Sequence, residues 1–553
     1  MHVRPLSRRA RHLAATVAVA VAGALLLTAQ PLESPWWTGH DFDTVYAASA
    51  VSLFRGDRST FFDHPGVPLQ ESLAAALTAD WVARDVGTNR TERAETFLRN
   101  LDRLRPHLRI LGSLLFVGSE LIAYAAVAWA TGSAFGGLFA ALTLLAAPDV
   151  TVWAAVVKPD PLLAALSVAS VALLAVAART RSAFLYIGAS ALIGYAVTVK
   201  VHALGLLAPL AVAVLVWPPE RLALAEGWRS WRQRRHPVVV AVVLAWLVAA
   251  LFLNALAAPP ALRPLGLLAV AVAAAASLTA GAWMALRRTR ARRWVELGAV
   301  LAAAGLAGAV VPNLLYANVP APTLRWLGVT LSGRGVEAST TFVPPWNVLA
   351  PWLGVGILAL VGLALALARG DRTALLWALA AAAMGGLALL RYGSVHYYTA
   401  AIALLAPLGV EALKAISRWP IIAAFVVFGV LYPPLQLQVD EARDRGDITS
   451  ATQRVNEWVE PRLRARDVAL TFLESDDSRT FALVRHYADV PPRRYRFLPA
   501  TSEGVAHAAA SGLDVRYVIT AAPADPRTLL ASLGLTGSAT ALDAPGNVYR
   551  VSR

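Results

Sequence analysis

Cysteine is absent from the 553-residue chain, methionine occurs three times, and only three of its 50 basic residues are lysines. Without thiols there is no disulfide, no thiolate nucleophile and no cysteine metal site, and the compartment is left open. Charge is scarce as well: Asp, Glu, Lys and Arg make up 15% of the chain against 57% hydrophobic residues. So little charge cannot cover a soluble surface around that much apolar side chain. The expectation is a polytopic membrane protein. Apolar stretches of about 18 residues or more, recurring from residue 108 to 435, specify spanning helices rather than a barrel. The formal charge of +15 does not point to nucleic acid. Residues 440–553 hold 15 Arg and 15 acidic residues, so the excess lies in the short loops of the apolar part, where basic residues orient spans.

Segments at 13–29, 109–130, 134–148, 161–177, 183–198, 201–217, 237–257, 265–286, 295–312, 346–368, 373–390, 397–412 and 420–435 predict about thirteen spans. With the N-terminus and its Arg4, Arg8, Arg9 and Arg11 inside, the basic loops "ARTRS", "RLALAEGWRSWRQRRH", "RRTRARR", "ARGDR" and "KAISRW" all fall on the cytoplasmic side. The first span also fits a cleaved signal peptide; under either reading residue 39 onward lies outside.

Three outward regions follow. Residues 30–108 read as a first loop with amphipathic helices along the membrane surface ("ESLAAALTADWVARDV", "ERAETFLRNLDRLRPHLRIL"). Residues 313–345 form a long Gly/Pro-rich loop, a candidate lid by position and composition. Residues 436–553 alternate strand-like runs ("DVALTFLE", "VRYVITAA", "NVYRVSR") with helix-like ones, predicting a small extracytoplasmic α/β domain attached to the membrane module of residues 1–435.

Two of the three lysines, Lys158 in "VVKPDPLLAAL" and Lys200 in "TVKVHALGLLAP", stand at outward helix ends, where a lysine also snorkels harmlessly. Asp160 lies two residues from the first and His202 two from the second. Cations so placed suit an anionic headgroup, above all a phosphate. "RYGSVHYYTAAIALLAP" adds Arg391, His396, Tyr397 and Tyr398 at another outward end; an interfacial aromatic belt accounts for the tyrosines but less well for Arg and His together. Glu120 is an intramembrane acid, kept outside the main site because a packing hydrogen bond explains it as well. Asp41 and Asp43 in "GHDFDTVYAASAVSLFRGD" are carboxylates at i and i+2, which hold a divalent ion, pair with arginines or start a helix. His64 sits in the turn "DHPGVPLQ", where Pro65, Gly66 and Pro68 rigidify the chain.

An acidic motif after the first span, then "VYAASAVSLFRGD", then "DHPGVPLQ", resembles the opening of the GT-C superfamily of membrane glycosyltransferases, in particular the protein mannosyltransferase-like and aminoarabinose transferase-like branch (glycosyltransferase family 39-like). "VVKPDPLLAAL", "VKVHALGLLAP" and "HYYTAAIALLAP" look like further blocks of that family, and the resemblance covers most of residues 36–412. The acidic pair here is Asp-Phe-Asp instead of adjacent acids, and the turn carries an inserted glycine.

The resemblance implies a GT-C type fold and transfer of a sugar from a polyprenyl-phosphate donor to an acceptor hydroxyl on a lipid, glycan or protein, at the outer face of the plasma (inner) membrane. Asp41, with Asp43 as competitor, would be the general base. His64, Lys158, Asp160, Lys200, His202, Arg391, His396 and Tyr397 would bind donor phosphate or substrate. No cofactor is required by this reading; "DFD" permits a divalent ion on Asp41 and Asp43. Partners are then the donor, the acceptor and membrane lipids, with no nucleic acid. The competing expectation is a transporter or lipid-linked-sugar flippase, which would place polar groups near the bilayer midplane.

Overall fold

The computed structural model describes residues 7–28, 41–57, 66–84, 87–99, 104–148, 150, 157–219, 292–310, 349–389, 395–417, 419–487 and 495–552. In chain order its helices are α1 (Arg8–Thr28), α2 (Asp41–Arg55), α3 (Val67–Arg84), α4 (Arg90–Arg99), α5 (Arg105–Thr131), α6 (Ala134–Leu145), α7 (Pro159–Thr180), α8 (Ala183–Val199), α9 (Leu207–Val216), α10 (Arg292–Val310), α11 (Leu353–Ala368), α12 (Ala374–Leu389), α13 (Thr399–Ile416), α14 (Pro420–Val459), α15 (Asp476–Tyr487), α16 (Ser502–Ala510) and α17 (Pro526–Ser532). Five helical stretches are long and apolar enough to cross a membrane, Pro106–Thr131, Pro159–Thr180, Ala350–Ala368, His396–Ile416 and Ile421–Arg462, and five shorter apolar helices accompany them among the described residues. The chain is thus a mostly helical, multi-span membrane protein. Spans expected at 237–257 and 265–286, and the loop 313–345, lie outside the described residues.

Local sequence explains where these helices begin and end. Pro106 and Pro159 sit in the first turns of α5 and α7, where a missing N–H costs nothing. Gly132, at φ +67°, ends α5, and Ser133 accepts the Gly136 N–H to start α6. The segment expected as one span at 201–217 instead opens with a 3-10 turn, Val201–Leu206, before α9. Lys200 is extended (φ −159°, ψ 132°) at that break, so its side chain departs from the line of α8.

Packing between spans relies on small residues. A Cβ on Gly194 of α8 would lie 1.8 Å from the Gly305 carbonyl of α10, and Ser190 donates to the Leu301 carbonyl at 2.7 Å in the same seam. Close approach of this kind drives association where lipid removes the hydrophobic incentive. At the bundle end formed by the last turn of α7, the guanidinium of Arg179 ties the Ala130 carbonyl (2.7 Å), Thr373 (3.2 Å) and Asp371 (3.0 Å) together.

At the other end lies the C-terminal domain, a mixed five-stranded sheet. Its strands are β1 (Asp467–Thr471), β2 (Phe497–Pro499), β3 (Asp514–Thr520), β4 (Ser538–Ala541) and β5 (Asn547–Ser552), in the order β2-β1-β3-β5-β4. β1 pairs parallel with β2 and β3, and β3-β5-β4 run antiparallel. All three strand-like runs read from the sequence are strands.

The last span does not stop where its apolar run ends near 435. α14 runs through Pro433 and Pro434 to Val459, 40 residues and about 60 Å of helix in all. Its final turn and the 3-10 turn Glu460–Arg462 after it enter the domain: Val455, Val459 and, past that turn, Leu463 pack on Ala469, Phe497, Tyr517, Ile519 and Val548. A second core, with Phe481 of α15, Ala508 of α16 and Leu529 of α17, covers the sheet separately.

Candidate active site

Five of the residues singled out in the sequence come together at the bundle end that carries the C-terminal domain. Asp160 lies in the first turn of α7, Lys200 ends α8, His202 follows in the 3-10 turn, and His396 and Tyr397 occupy another 3-10 turn, Val395–Tyr398, ahead of α13. Lys200 Nζ donates to Asp160 Oδ1 at 2.7 Å, with both side chains 4% exposed. The same ammonium sits 4.3 Å from the centroid of the Tyr397 ring. Tyr397 is flanked by two imidazoles, His202 with ring centroids 5.0 Å away and His396 at 4.3 Å. One aromatic ring therefore supports a cation and meets two imidazoles.

Lys158 immediately precedes α7, makes no side-chain cap to it, and is 2% exposed; with His396 it acts electrostatically on the Asp160 carboxylate. The lysine hydrogen-bonded to Asp160 is thus the one 40 residues away, and the nearer one acts through space. Behind the His-Tyr turn, Thr399 donates to the carbonyls of Pro148 (2.9 Å) and His396 (2.8 Å). Trp352 donates to Ala146 at 2.5 Å, so three segments are pinned at one level.

The sequence reading did not single out Tyr46, although it is the phenol in an otherwise Ala/Ser/Val-rich helix. It is fully buried in α2, and burial first, then the neighbouring Asp160 carboxylate and Tyr397, hold its hydroxyl pKa well above the usual tyrosine value. The phenol stays protonated and able to donate. Gly66 explains how Tyr46 is seated. At φ +32° its amide donates to the Val199 carbonyl at 3.0 Å, beside Lys200, and a Cβ there would fall 2.3 Å from the Tyr46 ring. The glycine inserted in the His-Pro turn lets the turn, the α2 ring and the end of α8 meet.

Asp41 and Asp43 lie on the first turn of α2, 5 and 3 residues before Tyr46; the side chains of residues 41–45 lie outside those described. His64 and Arg391 also lie outside the described residues. Glu120 is fully buried in α5, with no hydrogen-bond partner for either oxygen among the described residues. Glu71, one turn into α3 from Gly66, is 7% exposed with Oε1 unpartnered in the same sense, and burial pushes its pKa up to about 8. Among the described residues no group of three or more His, Asp or Glu is gathered to hold a metal.

No protein-family model matches the chain, and no curated protein does. Among solved structures it is similar to the oligosaccharyltransferase AglB of Archaeoglobus fulgidus, in complex with an inhibitory peptide and a dolichol-phosphate. That match has 13% identity, covers 92% of this chain and 69% of that one, and has a TM-score of 0.46. It is also similar to ArnT of Cupriavidus metallidurans bound to undecaprenyl phosphate, with 16% identity, 97% of each chain covered and a TM-score of 0.34. Both matches extend over most of this chain.

Proposed function

We propose that this protein transfers a sugar from a polyprenyl-phosphate donor to an acceptor hydroxyl at the extracytoplasmic face of the plasma (inner) membrane. The observation that carries the reading is the buried corner of Lys200, Asp160 and Tyr397, with Lys158, His202 and His396 around it. Two ammonium groups act on the Asp160 carboxylate among the described residues, and ammonium groups suit a lipid phosphate. Lys200 spends one of its three N–H donors on Asp160 and keeps two for phosphate oxygens. A phosphate carried on a polyprenyl chain must be met at the end of spanning helices, which is where α7, α8 and α13 place these groups.

In the proposed step the acceptor oxygen forms a bond to the anomeric carbon as the bond from that carbon to the donor phosphate oxygen breaks. The acceptor proton passes to a carboxylate of α2, and the polyprenyl phosphate leaves with its charge balanced by Lys158, Lys200 and Arg391. His202, His396 and His64 bind donor or acceptor groups around that phosphate. Position 43 is three residues before Tyr46 and shares its helix face, whereas position 41 does not. This spacing favours Asp43 as base and Asp41 as the residue that opens the helix. A divalent ion on the two aspartates would neutralise phosphate charge further; transfer measured with and without chelator decides whether one takes part.

The test is transfer of radiolabelled sugar from a panel of polyprenyl-phosphate sugars in membranes, comparing the natural chain with Asp41→Asn and Asp43→Asn. Loss of transfer in Asp43→Asn alone, at equal expression, supports the assignment; loss in Asp41→Asn alone moves the base to Asp41. Equal transfer in both variants removes α2 from the chemistry. Glu120 is the observation that favours a transporter or flippase. That reading predicts movement of the labelled lipid across the bilayer with no transfer to any acceptor.

A further inference from the structure

The C-terminal domain touches the acid-bearing helix. Every residue of α2 from Tyr46 to Phe54 is buried. For a 15-residue helix outside the spans this requires cover on all sides, and the principal neighbours of α2 are α3, α4 and α15. The first two are its neighbours in sequence. The third belongs to the C-terminal domain. α15 also meets α4, so it lies across both helices of the first loop.

The domain is placed to act as a fixed support. α14 is continuous from the membrane into the domain, where Val455, Val459 and Leu463 are part of the core and Asn456 Nδ2 donates to the Glu474 carbonyl at 2.9 Å. A helix joined to the sheet in this way fixes the domain relative to the bundle, and α15 is a second attachment. α15 is itself anchored to the sheet through Phe481 in the core and through Asp477, which accepts the Arg496 N–H at 2.6 Å. Thr480, about 100° around the helix from Phe481, is 1% exposed. By contrast, among the described residues α2 has no extensive seam with any span; it reaches the Lys200 corner through Tyr46.

We propose that the C-terminal domain is a positioning part of the transferase: α15 seats α2, and with it Asp41, Asp43 and Tyr46, against the phosphate corner. This inference rests on the transfer reading above. The corner itself stands on α7, α8 and α13, so disturbing α15 is expected to change turnover and leave donor binding intact.

The experiment inserts a site-specific protease sequence between Leu463 and Arg466 of the full chain and compares Thr480→Trp and Thr480→Ser in that background. In the natural background, residues 467–553 are expected to co-purify with the membrane part after cutting, with transfer within about twofold of the uncut chain. Thr480→Trp is expected to lower kcat at least about tenfold with the donor KM unchanged, and Thr480→Ser to retain kcat. The magnitudes correspond to a misplaced base rather than a lost binding site. Full kcat after the cut fragment is lost, or full kcat in Thr480→Trp, overturns the proposal. Failure of the transfer reading has a different signature: the uncut natural chain transfers no sugar, while a disulfide cross-link between single cysteines placed on α2 and α15 of the otherwise cysteine-free chain still reports whether α15 is docked.

Discussion

Lys200 and Asp160, 40 residues apart and on different helices, share a 2.7 Å hydrogen bond at which both side chains are 4% exposed. Removing one partner of such a pair strands the other charge in a poorly solvated place, at a cost of about 3–5 kcal/mol, whereas removing both is far milder. Lys200→Met is therefore expected to lower the melting temperature in detergent and abolish transfer. The double variant Lys200→Met, Asp160→Asn should recover most of the melting temperature and none of the transfer. Recovery of transfer in the double variant would mean that the pair only holds the helices together.

Gly66 and Tyr46 give a prediction about shape. Gly66→Ala places a methyl group within 2.3 Å of the Tyr46 ring and imposes a side chain on a backbone at φ +32°. The overpacking alone is expected to cost about 1–3 kcal/mol, and kcat should fall as Tyr46 is displaced from Asp160. Adding Tyr46→Ala removes the clash, so the double variant should be more stable than Gly66→Ala by thermal melting. Transfer should stay low in both.

Glu71 sets a pH dependence whose sign follows from burial. Its carboxyl is raised from 4.5 to about 8 in the folded protein, so between those values the folded state holds a proton that the unfolded state has lost. Stability from this group is complete below the unfolded value, declines as pH rises, and is lost by about pH 8. The full swing is of the order of several kcal/mol, at roughly 1.4 kcal/mol per pKa unit. Glu71→Gln is expected to flatten the melting profile between pH 5 and 8. A variant as pH-sensitive as the natural chain would show that another group is responsible.

Asp371 lies at the opposite end of the bundle and works the other way. Burial raises its pKa, but hydrogen bonds from Thr373 and the Arg179 guanidinium outweigh that and leave it below the usual carboxylate range. Its contribution is present above the unfolded value and is lost as pH falls through the lowered one. With the side chain 38% exposed, solvent screening holds the contribution to about 1 kcal/mol. Asp371→Asn is expected to cost that much at neutral pH and little in acid, with donor KM and kcat unchanged, as melting curves and the transfer assay would show.

The sequence by itself determined the elements. Uninterrupted apolar runs specify spanning helices because no backbone polar group can be left unpaired in lipid. Proline and glycine mark the starts and stops at Pro106, Gly132 and Pro159, and alternating runs such as "DVALTFLE" fold as strands. Residue type also marked the site: three lysines in so arginine-rich a chain are conspicuous, and two of them lie at the bundle end where Asp160, His202, His396 and Tyr397 gather. Partnership was decided by tertiary structure alone. Sequence spacing put Lys158 beside Asp160, yet packing of α7 on α8 gave the hydrogen bond to Lys200. Packing around α13 brought Tyr397 under that same ammonium. Tyr46 and Gly66 looked like helix filler and turn residue until the turn folded back onto Val199. Nothing local signals that α15 lies on α2, because periodicity reports which face of a helix is apolar and not which distant helix covers it.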